Sequence, residues 1–253
     1  MRPSPLPSSG SSSSGPGPSD CRPSRAPWLW SALGLTAASA TLVALVALGW
    51  QPLLDLDEDV ADWTHARALA HPAWTETNRV LTDWVWDTVT MRLLVLAAAV
   101  WLWLRRGEKV LAVWCVATSA AGTGVQQGLK AALDRERPQW EQPVDVAHYA
   151  AMPSGHAMTA AVTCTLMLWL AREFAAPANA RRAVAVLAAV SVLGVCVTRI
   201  ALGVHWLTDT LVGAMLGIAL AGAAIGAWYT LLQRSWKPHG HNDAAAAAGD
   251  ARG

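Results

Sequence analysis

Uncharged, strongly apolar stretches recur along the chain and are separated by short polar segments. Residues 26–54 carry no charge at all, and Trp28 to Trp50 as a helix would cross about 30 Å, the thickness of a bilayer's hydrocarbon core. Further stretches run over Thr88–Leu104, Val110–Leu129, Ser154–Ala171, Ala183–Thr198 and Thr210–Gln233, which predicts six membrane-spanning helices. Arg92 falls inside the second, near an end where it can snorkel to the interface. Ala38-Ser39-Ala40 resembles a signal-peptidase site, but the apolar run continues past it, so a retained span is expected. Two long connections remain, residues 51–87 and 130–153. The first sets Val60, Trp63, Ala66 and Leu69 at helical spacing, a stripe suited to lying on the membrane surface. Gly213-Ala-Met-Leu-Gly217 is a small-xxx-small pattern and predicts close helix packing.

Composition agrees with this pattern. Of the 253 residues 53% are hydrophobic and only 15% charged, where soluble domains carry about 25% charged. Fifteen Trp against two Tyr and one Phe suits interfacial anchoring, a role expected of Trp84, Trp86, Trp101 and Trp103. A net charge of +1 excludes a nucleic-acid binder working through bulk positive charge. Four cysteines without paired short spacing exclude a disulfide scaffold and a zinc ribbon. Residues 1–27 and 234–253 are low-complexity or polar and read as disordered cytoplasmic tails around one domain, residues 28–233. His239 and His241 are assigned no metal.

Basic residues set the orientation. Arg105, Arg106, Lys109, Arg172, Arg181, Arg182, Arg234 and Lys237 fall on the side of the N-terminal tail, which places both termini in the cytoplasm. Lys130, Arg135, Arg137 and Arg199 gather on the outer side against that rule, and so need a reason. Asp134 and Arg135 are expected to pair within the loop.

Three clusters lie at the outer helix ends: Lys130…Arg137-Pro138, Pro153-Ser154-Gly155-His156, and Thr198-Arg199…His205…Asp209. Together they suit phosphoryl transfer, where positioning and electrostatics carry most of the catalysis. Arg137 and Arg199 offer planar forks to phosphate oxygens, and Lys130 adds a point charge. Ser154 and Gly155 precede a helix whose free N–H groups suit an anion, with Gly155 letting a phosphate approach the backbone. His205 and Asp209 lie four apart, so the carboxylate can hold Nδ1–H and leave Nε2 to attack phosphorus. His156 is placed to protonate the leaving oxygen. With two histidines in these roles a metal is unnecessary, and no cofactor is expected. On average residue usage the three clusters coincide by chance at on the order of 10⁻⁶.

These clusters resemble the signature of the type 2 phosphatidic acid phosphatase family, also called the lipid phosphate phosphatases. Its pattern is Lys, six residues, Arg-Pro; then Pro-Ser-Gly-His; then Ser-Arg, five residues, His, three residues, Asp. The first two are intact here, and in the third Thr198 stands where Ser is usual. The resemblance implies an all-α, six-transmembrane-helix bundle, whose active site the basic-residue count turns outward. It also implies a phosphohistidine on His205, no metal, and a phosphorylated membrane lipid or polyprenyl diphosphate, such as undecaprenyl diphosphate, as substrate in the bilayer. The alternative is an inactive or repurposed relative that binds or moves anionic lipid. The superfamily's vanadium-dependent haloperoxidases are soluble, and the uncharged spans argue against them.

Overall fold

In hydrocarbon a chain must satisfy its own backbone hydrogen bonds, and every apolar stretch here does so as a helix. The computed structural model describes residues 25–235, with side chains through Leu231. The expected tails and His239, His241 and Cys21 therefore lie almost wholly outside the described residues. Helix α1 (Ala26–Ala47) leads by a short turn to α2 (Gln51–Ala70) and α3 (Pro72–Val80). A π-turn over Leu81–Val85 follows α3, and α4 (Thr88–Trp101) ends in a second over Leu102–Arg106. Helix α5 (Lys109–Leu133) runs back to a long irregular loop; α6 (Gly155–Glu173), α7 (Ala178–Ala201) and α8 (Leu207–Ser235) complete the bundle. No strand occurs among the described residues.

The six apolar stretches expected to span fall on helices α1, α4 with the π-turn after it, α5, α6, α7 and α8. Four described segments are long and apolar enough to cross a membrane: Ala26–Ala47, Pro72–Arg106, Ala178–Ala201 and Leu207–Leu231. Helices α5 and α6 fall outside that set, and for α6 the reason is its position. It packs against α4, α5, α7 and α8, so its surface meets protein rather than lipid. Ala157, Ala160, Ala161, Leu166 and Trp169 are completely buried, and Thr163 and Thr165 are buried among them. A helix sheathed in this way can be less apolar than a lipid-facing one.

Small residues set how closely the helices approach. A Cβ at Gly213 would lie 2.6 Å from the Ser154 carbonyl oxygen, and one at Gly217 would lie 2.5 Å from that of Met158. The pattern on α8 thus seats α6, as its spacing predicts. A second pair, Gly222 and Gly226, receives α1 at Trp28 and Leu29. Near the C-terminal end of α6, Trp169 Nε1 donates to Tyr229 (2.8 Å), whose hydroxyl donates to Glu173 (2.6 Å).

One side-chain expectation fails. Trp86 is buried at 8% exposure, its ring over Gly194 in a cluster with Met91, Ala157, Ala160 and Val195. The absence of a side chain at Gly194 makes room for that indole, a pairing that no local pattern announces. Trp84, at 75% exposure, remains free to anchor at an interface. On α2, Trp63 and Leu69 face outward as the surface-lying reading requires. The opposite face, Leu53, Asp57, Ala61, Thr64, His65 and Ala68, is buried against the bundle.

Candidate active site

The loop from Asp134 to Pro153 and the N-termini of α6 and α8 meet at one end of the bundle. Lys130 sits in the last turn of α5, where a cation complements the helix dipole, and is buried. Its ammonium donates to the Ala150 carbonyl. Arg137 holds the same stretch of loop: Nε donates to the Tyr149 carbonyl (2.9 Å), and Nη2 to those of His148 (3.2 Å) and Ala150 (3.3 Å). Its Nη1 donates to the Val204 carbonyl and lies 3.2 Å from His205 Nε2. Trp140 pins the loop on its other side, stacking on His65 of α2 and donating to the Gly203 carbonyl at 2.8 Å.

His205 lies in the α7–α8 connection and is buried at 2% exposure. Its Nδ1 is 3.4 Å from Asp209 Oδ2, a loose contact of the kind that tightens when a substrate binds. Asp209 occupies the third position of α8 and accepts the Trp206 backbone N–H (2.9 Å), half of a capping box. Helix capping therefore fixes the carboxylate that orients the imidazole. Burial holds the His205 pKa well below the usual histidine range, and Arg199, Arg137 and Lys130 push it further down. A hydrogen bond with the Ala151 backbone opposes them. Burial and the three cations all favour the neutral ring, the form that has a lone pair for bonding.

Ser154 is fully buried at the start of α6, and its backbone N–H donates to the Asp209 carbonyl (3.0 Å), tying α6 to α8. Its Oγ does not cap α6 and has no partner. Arg199, at 5% exposure, likewise leaves Nε buried and without a partner. Polar groups buried in this way are costly unless a ligand satisfies them. A Cβ at Gly155 would lie 3.1 Å from the Gln126 amide, so packing as well as anion approach favours glycine there. His156 occupies the first turn of α6, its Nε2 3.8 Å from Asp87 Oδ1. An open cavity of about 540 Å³ lies over the loop, bordered by Arg135, Arg137, His148, Tyr149 and Ala150.

The structure brings all eight sequence-identified residues to this end of the bundle, and corrects one neighbour. Arg135 pairs not with Asp134 but with Asp57 (2.8 Å) and Asp209 (2.7 Å). Asp134 instead caps α5 in the left-handed region, at φ 40°. Sequence reasoning also missed Asp87, whose Oδ2 caps α4 by accepting from Val89 N (2.7 Å) and Thr90 N (3.4 Å). It missed Thr82 too, whose hydroxyl meets that of Thr198 at 2.6 Å. The placement of Arg135 against the basic-residue rule was the one available signal. Among the described residues no three His, Cys, Asp or Glu side chains group as a metal site.

Comparison with known proteins bears on the family and the fold. The PAP2 superfamily profile matches residues 108–233. A crystal structure described as the first transmembrane PAP2 type phosphatidylglycerolphosphate phosphatase, from Bacillus subtilis, is similar in fold, with a TM-score of 0.66 at 20% sequence identity. The similarity covers 83% of this chain and 99% of that one. No curated protein matches the chain.

Proposed function

Through residues 108–233 the chain belongs to the PAP2 superfamily, and from that premise we propose that it is an integral membrane phosphatase hydrolysing a lipid phosphate or polyprenyl diphosphate through a phosphohistidine. The observation that carries this reading is the His205 imidazole, with Nδ1 toward the Asp209 carboxylate and Nε2 beside Arg137. A protein that only bound anionic lipid would need the cations but not an oriented neutral imidazole.

In this mechanism the phosphoryl group binds among Arg199, Lys130, Arg137 and the Ser154 hydroxyl. Arg199 Nε and Ser154 Oγ gain the partners they lack. Lys130 has donors to spare beyond its bond to the Ala150 carbonyl. Nε2 of His205 attacks phosphorus, the bond to the leaving oxygen breaks, and His156 donates a proton to that oxygen. Water then cleaves the P–N bond, giving up a proton to His156 and releasing inorganic phosphate. Asp209 stabilises the ring while it is positively charged. The cations supply the charge neutralisation that a metal provides elsewhere, so no metal is assigned.

The test is phosphate release by purified protein in detergent, with phosphatidate, phosphatidylglycerophosphate and undecaprenyl diphosphate as alternative substrates. Activity should persist in EDTA and fall with vanadate, which adopts the five-coordinate geometry of the transferring phosphoryl group. Activity that disappears with chelator and returns with Mg²⁺ would overturn the mechanism.

We also assign six spans, with both termini cytoplasmic and the active site on the extracytoplasmic face. Support comes from Arg105, Arg106 and Lys109 at the α4–α5 turn and Arg172, Arg181 and Arg182 around the α6–α7 turn, all at the end opposite His205. Gln142→Cys in an otherwise cysteine-free variant should react with a membrane-impermeant maleimide on intact cells. Reaction only after lysis would invert the topology.

A further inference from the structure

Two buried carboxylates and one guanidinium form a closed polar ring behind the His205–Asp209 pair, and one of the carboxylates comes from outside the matched region. Asp57, on the inner face of α2, is 1% exposed, and Asp209 is fully buried. Arg135 bridges them, with Nη2 on Asp57 Oδ2 (2.8 Å) and Nη1 on Asp209 Oδ1 (2.7 Å). Thr208 closes the ring. Its hydroxyl accepts from Arg135 Nη1 (2.7 Å) and donates to Asp57 Oδ2 (2.6 Å), and its backbone N–H donates to Asp57 Oδ1 (2.9 Å). Asp57 thereby caps the N-terminus of α8 from another helix. The Arg135 guanidinium also lies 5.5 Å over the Trp206 ring.

We propose that Asp57 and Arg135 are positioning residues for the nucleophile, acting through Asp209. This rests on the phosphatase reading above. Arg135 occupies Oδ1 of Asp209, which leaves Oδ2 to Trp206 N–H and His205 Nδ1 and so fixes the face that the carboxylate turns to the imidazole. Asp57 sets how strongly Arg135 draws on Asp209. The guanidinium is shared between two carboxyl groups instead of being committed to one, so Asp209 keeps more of its own charge for the imidazolium formed as His205 bonds phosphorus. Neutralising Asp57 commits the whole guanidinium charge to Asp209 and weakens its support of that ring. Helix α2, amphipathic and packed on α7 and α8, thereby contributes to the chemistry without touching substrate.

The experiment compares Asp57→Asn and Arg135→Lys with wild type in detergent, each kcat normalised to the number of vanadate-binding sites so that misfolded protein does not count. Asp57→Asn retains an acceptor for Thr208 N–H but loses the charge. Arg135→Lys keeps a charge but cannot bridge both carboxylates in one plane. Both should lower kcat per site by about 10- to 100-fold, the range seen when orienting partners of a working histidine are removed, with KM within about twofold. With p-nitrophenyl phosphate, combining Asp57→Asn with Asp209→Asn should cost little beyond Asp209→Asn alone, because one acts through the other. Unchanged kcat per site in both variants, or losses that simply multiply with Asp209→Asn, would overturn the proposal while leaving the phosphatase reading intact. A wild-type protein that releases no phosphate from any substrate in the panel would remove that reading and this proposal with it.

Discussion

His205→Ala should lower phosphate release by roughly 10³-fold or more, because it removes the side chain proposed to form the covalent intermediate. Asp209→Asn should fall by a similar factor for a different reason. An asparagine can present its amide toward Nδ1, and the ring then holds its proton on Nε2, where the attacking lone pair is needed. The double variant should lose little more than either single one, since nucleophile and orienting group work as one device. Neither change should weaken vanadate binding in proportion, because Arg199, Lys130 and Ser154 remain. His156→Ala separates the roles further. It should slow hydrolysis of an alkyl phosphate far more than that of a nitrophenyl phosphate, whose leaving oxygen departs without a proton. Near wild-type phosphate release by His205→Ala, measured with enzyme free of endogenous phosphatase, would refute the assignment.

Much of this site was legible because its chemistry is carried by clusters fixed in short segments. Ser154, Gly155 and His156 are consecutive, and His205 and Asp209 sit one helical turn apart, so local spacing determines their geometry. The apolar helices were equally legible, since apolar runs report on lipid or protein burial whatever the tertiary arrangement. What could not be read were partnerships made across the bundle. Asp57 looks like one acid among Asp55, Glu58 and Asp59 in a polar connection, and only the docking of α2 shows that it alone turns inward. Trp86 looks like its neighbour Trp84, yet a glycine more than a hundred residues later decides that one is buried and the other exposed. Arg135 is an intermediate case. Its side of the membrane was anomalous in the sequence, but its partner was assigned to the adjacent Asp134 because sequence proximity was the only guide.

The glycine seam between α6 and α8 links this packing to the chemistry. Gly213 and Gly217 let α8 lie directly on the α6 backbone at Ser154 and Met158, two residues to either side of His156 and in the first turns of the helix that follows His205. A methyl at Gly217 would lie 2.5 Å from the Met158 carbonyl oxygen and 2.7 Å from the Ala161 Cβ. Neither contact is with a flexible side chain, so the helices themselves must move apart. Overpacking of this kind costs about 1–3 kcal/mol, and Gly217→Leu, which must place three further carbons in the same gap, should exceed it. The separation would draw His205 and Asp209 away from Ser154 and His156, where a displacement of about 1 Å is enough to cost on the order of 10²-fold in rate. Gly217→Ala should therefore lower both thermal stability in detergent and turnover, and Gly217→Leu should yield little folded protein. Gly124 on α5 provides the contrast. A Cβ there meets nothing within 4 Å, and alanine favours a helix over glycine by about 1 kcal/mol. Gly124→Ala should leave turnover unchanged and hold or raise the melting temperature. Equal tolerance at both positions, read from melting curves and phosphate release of the two alanine variants, would show that the α6–α8 contact is looser than these distances require.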